Sequence, residues 1–168
     1  MPFPAQVDPR KLALRSAELV GDIPVNRMSR LASAIVRIND PAKATIVFKI
    51  DESGFTLISG SVSVSAFAQC QRCLHEVVIC IESEFKLRIV SQENEEDWKV
   101  KFIDPLVIDK GILNLYQMLE DELILALPIV NYHEIGQCTN NLDKFTYNSS
   151  SSAQTGPFDI LKQLKYLE

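Results

Sequence analysis

Two cysteines with two residues between them, Cys70 and Cys73, are the residues of this chain whose types and spacing most clearly allow chemistry. Thiols at this spacing can face one metal ion or oxidise to one disulfide. A Cys-x-x-Cys unit is typical of one half of a tetrahedral zinc site, whose other half is expected elsewhere in the chain. His133 and Cys138 follow much later and are candidates for that second half.

Other roles for these residues stay open. A redox role is one alternative for the cysteine pair, but no helix start, which usually lowers the pKa of the attacking thiol, is in view beside it. A pair that binds no cofactor is another. His133 is an ordinary loop histidine unless its spacing to Cys138 makes it a ligand, and His75 competes with it. Cys80 falls in an alternating strand and is predicted to be a small core or surface residue.

A run of three carboxylates, Glu120, Asp121 and Glu122, invites a catalytic interpretation, because paired carboxylates can hold metal or shuttle protons. No histidine and no Gly-rich phosphate loop accompany them, so an acidic helix face is the simpler interpretation. If it is functional, that face would dock a basic partner. Arg72, between the two cysteines, is a candidate phosphate contact, with a solvated arginine as the alternative. The sequence contains no Ser-His-Asp set, Walker loop or deaminase His-x-Glu signature.

Length and composition predict one globular domain over residues 1–168. A chain of this size buries roughly 70% of its unfolded surface, so any metal would position structure locally. No apolar run approaches the ~18 residues of a membrane span, and no signal peptide is recognised. We therefore expect a cytoplasmic protein with reduced thiols.

Charge divides the chain unevenly. Residues 1–50 carry eight Lys or Arg and four Asp or Glu, a net charge of +4, so residues 51–168 carry −9 of the total of −5. The acidic whole argues against unspecific nucleic-acid binding, DNA included, while the basic N-terminal third allows a local phosphate contact. Arg27 and Arg30 are candidates there, together with Arg10, Lys11 and Arg15.

Hydrophobic periodicity places these residues on elements. It predicts a short helix within residues 10–20, a helix over 26–36 capped by Asn26, a helix over 115–126 capped by Asn114, and a last helix over 158–166. Strands are predicted at 44–50, 55–68 and 77–90, with a short extended stretch at 104–110. Residues 92–97 are predicted to be an acidic loop and residues about 140–156 a flexible one. The cysteine pair then lies at a hairpin corner. The fold class is α+β: an antiparallel meander, with a barrel-like sheet as a variant, flanked by short helices.

Several blocks, in order, resemble one family. They are Cys70-Gln-Arg-Cys73-Leu at the end of a strand, Ile112-Leu-Asn-Leu before Leu119-Glu-Asp-Glu-Leu-Ile-Leu-Ala-Leu-Pro128, a later cysteine, and Gly156-Pro-Phe-Asp-Ile-Leu161. Together they are similar to the large ribosomal RNA subunit accumulation protein family (YceD-type), from about residue 8 to 166. The resemblance implies a small cytoplasmic bacterial protein, with plastid relatives, needed for accumulation or processing of large-subunit ribosomal RNA. It implies no established enzymatic activity.

The chain departs from the family pattern at one point. Many members carry two or more cysteines after the Ala-Leu-Pro block, which would complete a four-cysteine site, whereas here only Cys138 follows. His133 precedes it, so Cys70, Cys73, His133 and Cys138 form a Cys3His set that would satisfy tetrahedral zinc.

The function predicted first is therefore that of a non-enzymatic ribosome-biogenesis factor whose partner is large-subunit ribosomal RNA, one of its assembly precursors or a ribosomal protein. A metal-dependent RNA-processing nuclease using the acidic run and a thiol redox protein are the alternatives. Neither a membrane nor DNA is an expected partner.

Overall fold

The computed structural model describes residues 4–90, 103–108 and 111–138. The predicted loops at 92–97 and 140–156 and the predicted helix at 158–166 lie outside the described residues. In chain order the elements are β1 (Gln6–Val7), α1 (Pro9–Leu14), β2 (Glu18–Ile23), a 3-10 helix (Val25–Arg27), α2 (Ser29–Ala34), β3 (Arg37–Ile38), β4 (Ala42–Ile50), β5 (Thr56–Gln69), β6 (Glu76–Val90), β7 (Asp104–Val107), β8 (Leu113–Asn114) and α3 (Leu115–Leu125).

The main sheet is built on a long hairpin of β5 and β6. Strands β4, β5 and β6 form an antiparallel meander, β2 pairs with the outer side of β4, and β3 pairs with the last residues of β5. Strand β7 joins β6 in parallel, and β1 and β8 form a separate two-stranded ribbon. The predicted α+β class with a mostly antiparallel sheet is confirmed. Barrel-like closure is wrong, because within the described ranges β2 and β7 are open edges, each paired with one neighbour only.

One face of this sheet is buried. In β5, Val62, Val64 and Ala66 are buried while the intervening serines are more exposed, as the alternation predicts. Helices α1 and α3 pack on this sheet, and α2 packs on α3. The core under them contains Phe48, Ile58, Ile81, Leu115 and Leu119. No helix among the described residues is long and apolar enough to cross a membrane.

The N-terminal helices differ from the prediction. The predicted helix within 10–20 ends at Leu14, and β2 follows from Glu18. Asp8 caps α1 by accepting hydrogen bonds from the backbone N–H groups of Arg10 and Lys11, and Ser16 adopts a left-handed φ of 47° soon after the helix ends. The predicted helix over 26–36 is split into the 3-10 helix and α2, and no side chain on either element's N-cap residue caps it.

Among the described residues, two charged side chains are buried. Arg88 on β6 pairs with Asp51 at 3.4 Å and lies 3.4 Å above the Phe55 ring. Glu120 is the buried carboxylate of α3, whose predicted cap Asn114 accepts a hydrogen bond from the Gln117 N–H.

Candidate functional site

The cysteine pair lies in the turn between β5 and β6, as the sequence predicts. The Cys70 N–H donates to the His75 carbonyl at 2.8 Å, and the Leu74 N–H donates to the Cys70 carbonyl at 2.9 Å. Leu74 takes a left-handed φ of 63°, which closes the turn. Cys70 and Cys73 are both buried, so the turn points its two thiols inward. We call residues 70–75 the cysteine turn.

A second segment, residues 128–138 after α3, lies against the cysteine turn. The Gln71 N–H donates to the Asn131 carbonyl at 2.9 Å, and the Gln71 side-chain amide donates to the Ile129 carbonyl at 3.3 Å. The Arg72 guanidinium donates to the His133 carbonyl and lies 5.1 Å from the centre of the Tyr132 ring. The two residues between the cysteines therefore hold the 128–138 segment in place.

The meeting of these segments assembles a Cys3His cluster from all four predicted ligands. The ligand atoms of Cys70, Cys73, His133 and Cys138 all lie within 4.8 Å of one another, so the cluster could hold a metal ion. Cys73 Sγ is 3.3 Å from His133 Nδ1, while Cys138 Sγ is 3.9 Å from both Cys70 Sγ and His133 Nδ1. Cys80 lies outside the cluster, on the exposed side of β6, where its thiol donates to Glu82 at 3.3 Å.

The orientation of His133 suits a ligand. Its Nε2 lies 3.0 Å from the Glu76 carbonyl oxygen, an acceptor only, so Nε2 must carry the hydrogen and Nδ1 keeps its lone pair for the thiol cluster. Cys70 and Cys73 also belong to a small apolar cluster with Ala68 and Val77 that is separate from the main core. The site therefore has its own local packing at one end of the hairpin.

The thiols differ in acidity. Burial alone would raise the pKa of Cys70, but hydrogen bonds from the backbone N–H groups of Cys73, His133 and Arg72 lower that pKa to about 5. Burial raises the pKa of Cys138, and its hydrogen bonds with Cys73 and Cys70 raise it further. These N–H donors favour the thiolate form of Cys70, which is the form that binds a metal ion.

Three of the residues predicted to bind RNA or a partner, Arg30, Glu120 and Asp121, contact one another. The Glu120 carboxylate accepts hydrogen bonds from the Arg30 N–H at 2.7 Å, the Leu31 N–H at 3.1 Å and Arg30 Nε at 3.1 Å. Asp121 forms an ion pair with the same guanidinium at 2.6 Å. Glu120 therefore caps α2 from another helix, and the role of these residues at a partner surface stays a prediction.

The remaining predicted residues are spread over the molecule. Arg27 ends the 3-10 helix, is exposed and lines a cleft with Tyr116 and Gln117. Glu122 accepts a hydrogen bond from Ser83 Oγ at 3.2 Å, and burial raises its pKa. Arg72 is committed to the 128–138 segment, as described above.

Sequence reasoning did not single out Gln71, Glu76 or Tyr132, although each helps to hold the cluster. Gln71 and Glu76 act through backbone atoms, and Tyr132 acts from a segment distant in sequence, and no local pattern reports such contacts. The only sequence signal was that Gln71 and Tyr132 directly neighbour predicted ligands.

The fold and the cluster together define a class: an α+β protein with an open, mostly antiparallel sheet and a Cys3His cluster at one hairpin corner. A family model described as large ribosomal RNA subunit accumulation protein YceD matches residues 58–165. A protein of Haemophilus influenzae with that same name is 30% identical over 167 residues, which cover 97% of this chain and 96% of that protein. The chain belongs to the YceD family, and the resemblance in its motifs is confirmed. No solved structure matches the chain.

Proposed function

We propose that this chain is a non-enzymatic, cytoplasmic ribosome-biogenesis factor that supports accumulation or processing of large-subunit (23S) ribosomal RNA. The family description and the name of the Haemophilus influenzae relative support this role. Its partner would be that RNA, one of its assembly precursors or a ribosomal protein. The structural observation that carries the molecular part of the proposal is the Cys3His cluster.

We propose zinc as the metal of this cluster. Around a tetrahedral zinc ion, with Zn–S near 2.3 Å and Zn–N near 2.0 Å, ligand atoms lie roughly 3.5–3.8 Å apart. Three of the six pairs of ligand atoms lie 3.3–3.9 Å apart, close to that range, and all six lie within 4.8 Å. Thiolate and imidazole donors also favour zinc over magnesium or calcium. Bound there, zinc would fasten the 128–138 segment to the cysteine turn.

The acidic run supports a non-enzymatic role better than a nuclease. Glu120 is committed to the backbone of α2, and Glu122 contacts Ser83 on β6. Two-metal phosphoryl transfer needs carboxylates that converge on the metal ions. Glu120 and Glu122 have different partners and do not converge in this way. A thiol redox role is supported less than a metal role, because the pair is accompanied by two further ligands at metal-binding distances.

The test compares cysteines inside and outside the cluster. We expect one zinc per chain in the wild-type protein and in Cys80→Ser, and a loss of about tenfold or more in zinc affinity in Cys73→Ser and His133→Ala. In a bacterial host whose own copy is deleted, wild-type and Cys80→Ser should restore the ratio of large- to small-subunit ribosomal RNA, and Cys73→Ser should not.

Two outcomes would contradict parts of this proposal separately. A purified wild-type protein without zinc would remove the metal but leave the biological role. Cleavage of precursor ribosomal RNA that disappears in a Glu120→Gln, Glu122→Gln double variant with normal folding would replace the non-enzymatic role with a nuclease.

A further inference from the structure

The ligand atoms of the Cys3His cluster include two close pairs of different chemistry. Cys73 Sγ lies 3.3 Å from His133 Nδ1, and Cys70 Sγ lies 3.9 Å from Cys138 Sγ. The first pair joins a thiol to an imidazole, whereas the second joins two thiols. Two adjacent thiols can be oxidised to a disulfide, and an imidazole cannot take part in one. The second pair therefore allows a reaction that the metal-binding role does not use.

The two thiols of the second pair come from different segments. Cys70 begins the cysteine turn, and Cys138 lies 68 residues later, at the end of the 128–138 segment. A disulfide between them would join the segments through two of the residues that would otherwise share a metal ion. It would leave Cys73 and His133 as ligands, and two protein ligands do not complete a structural zinc site. The disulfide and the bound zinc therefore exclude each other.

Hydrogen bonds that involve none of the four ligand side chains keep these two thiols near each other. Gln71 and Arg72 donate to backbone carbonyls of the 128–138 segment, as described above. Loss of a metal ion breaks none of these bonds directly, so Cys138 stays within reach of Cys70, although its segment is held less tightly. Thiols held together in one chain meet at a far higher effective concentration than thiols of separate chains. An intramolecular disulfide is therefore the favoured product of oxidation.

Exposure determines which thiol an oxidant reaches. Cys138 is half-buried, whereas Cys70 and Cys73 are buried, so a small oxidant such as a peroxide reaches Cys138 first. Both buried cysteines are sulfur neighbours of Cys138. Cys73 is already engaged with the His133 ring at 3.3 Å, and this contact makes Cys70 the better-placed reaction partner.

We propose that Cys70 and Cys138 form a reversible disulfide that converts the cluster from its metal-binding form to a metal-free form when a peroxide is present. This inference rests on the proposed function, because that function assigns zinc to the cluster and a ribosome-biogenesis role to the chain. The disulfide adds regulation to that role. Oxidation would remove the ion that fastens the 128–138 segment, so the activity of the factor would fall while peroxide is present and return after reduction.

The reaction balances with hydrogen peroxide as the oxidant. The Cys138 sulfur attacks one peroxide oxygen, so that an S–O bond forms, the O–O bond breaks and hydroxide leaves. The Cys70 thiolate then attacks the sulfur of this sulfenic acid, so that the S–S bond forms, the S–O bond breaks and a second hydroxide leaves. The protons that the two thiols lose convert both hydroxides to water. Two electrons thus pass from the two thiols to one peroxide molecule.

The test uses the full chain with Cys80→Ser, which removes the exposed cysteine outside the cluster. Zinc is measured before and after treatment with hydrogen peroxide, remaining thiols are alkylated, and the chain is digested with trypsin. Arg72 lies between Cys70 and Cys73, so cleavage after Arg72 places these cysteines on different peptides. We expect a peptide pair that links Cys70 to Cys138, together with release of the bound zinc. Reduction followed by added zinc should restore both the thiols and the zinc content.

Two double variants, each without one cysteine of the turn, are matched to each other. Cys73→Ser, Cys80→Ser keeps the pair of Cys70 and Cys138, whereas Cys70→Ser, Cys80→Ser keeps the pair of Cys73 and Cys138. Each has lost one ligand, so both begin with weakened zinc binding. We expect peroxide to form the disulfide at least about tenfold faster in the first variant, because its two thiols are the better-placed pair. Equal rates, or a faster reaction in the second variant, would overturn the proposed pairing.

Other products of the oxidised Cys80→Ser chain would also overturn the proposal. These products are a main link from Cys73 to either other cysteine, a disulfide between two chains, sulfinic or sulfonic acid without a disulfide, and zinc that stays bound after the disulfide has formed. The zinc content before oxidation separates this proposal from the proposed function. A chain that starts with zinc and gives one of these products refutes the switch alone, whereas a chain without zinc at the start refutes the assigned metal and the switch with it.

Discussion

At the residue scale, the role of Glu120 follows from its hydrogen-bond partners and not from its place in the run of carboxylates 120–122. It is 5% exposed, and its carboxylate accepts hydrogen bonds from two backbone N–H groups at the start of α2 and from the Arg30 side chain. Those N–H groups belong to the first turn of a helix, which has no intrahelical acceptors for them. The residue in the run of three carboxylates that most resembles a catalytic acid by burial is thus a helix cap.

Removal of this cap should be costly. We expect Glu120→Ala to lower the free energy of unfolding by about 3 kcal/mol, since buried donors and a guanidinium lose their acceptor. Glu120→Gln keeps one acceptor oxygen and should cost less. Asp121→Ala, which removes only a half-exposed ion pair, is the control and should cost less than about 1 kcal/mol. Urea denaturation measures all three, and equal losses for Glu120→Ala and Asp121→Ala would contradict this role.

At the element scale, the sequence predicts what depends on local pattern and misses what depends on tertiary partners. Strands β5 and β6 lie within a residue or two of their predicted bounds, because alternation reports a sheet with one buried face. Strand β2 was missed because Glu18–Ile23 becomes a strand by pairing with β4.

The same limit applies to the candidate site. Spacing predicts the four cluster residues, but the hydrogen bonds of Gln71 and Arg72 that hold the 128–138 segment exist only in the folded chain.

The packing of α3 on β6 should depend on pH through Glu122. Burial raises the pKa of this carboxyl above its ordinary value of 4.5, with Asp104 and Asp121 adding to the shift and the Ser83 hydrogen bond opposing it. An acid with a raised pKa in the folded state is most favourable to folding below its unfolded pKa. This contribution is lost as the pH rises through the folded pKa. Glu122→Gln should therefore raise Tm at about pH 7, with the gain vanishing below about pH 4.

Thermal unfolding of both proteins across this pH range is the measurement. Glu84→Gln, which removes an exposed carboxylate from β6, is the control and should leave Tm near that of wild type throughout. A Glu122→Gln gain that is the same at both ends of the range would show that its origin is not the titration of this carboxyl.

At the scale of the whole molecule, RNA binding by the basic N-terminal third can be tested by substituting an exposed arginine that does not hold the fold together. Arg30 is unsuitable, because it is tied to Glu120 and Asp121. Arg27 is exposed at the end of the 3-10 helix. If it contacts a phosphate, Arg27→Gln should flatten the log–log salt dependence of binding to a large-subunit RNA fragment by about 0.7–0.9. Lys49→Gln, an exposed cation at the far end of β4, is the control. An RNA complex with the same slope in both variants would exclude Arg27.

The molecule also contains two separate packing units, and removal of metal should affect only one of them. The buried residues around Cys70 and Cys73 form a cluster of their own beside the core under the helices, and Ile79 packs against both. A metal ion bound by the cluster would stabilise the two segments that supply its ligands, the cysteine turn and the 128–138 segment. We therefore expect a chelator to increase amide hydrogen exchange at least about tenfold in those two regions. The residues of β4 and the residues of β5 that pair with β4 should stay protected.

Cys73→Ser should reproduce this pattern without chelator, and Cys80→Ser should match the wild type. Loss of protection throughout the sheet would mean that the cluster supports the global fold. Unchanged exchange would mean that the hydrogen bonds of Gln71 and Arg72 hold the segment without metal.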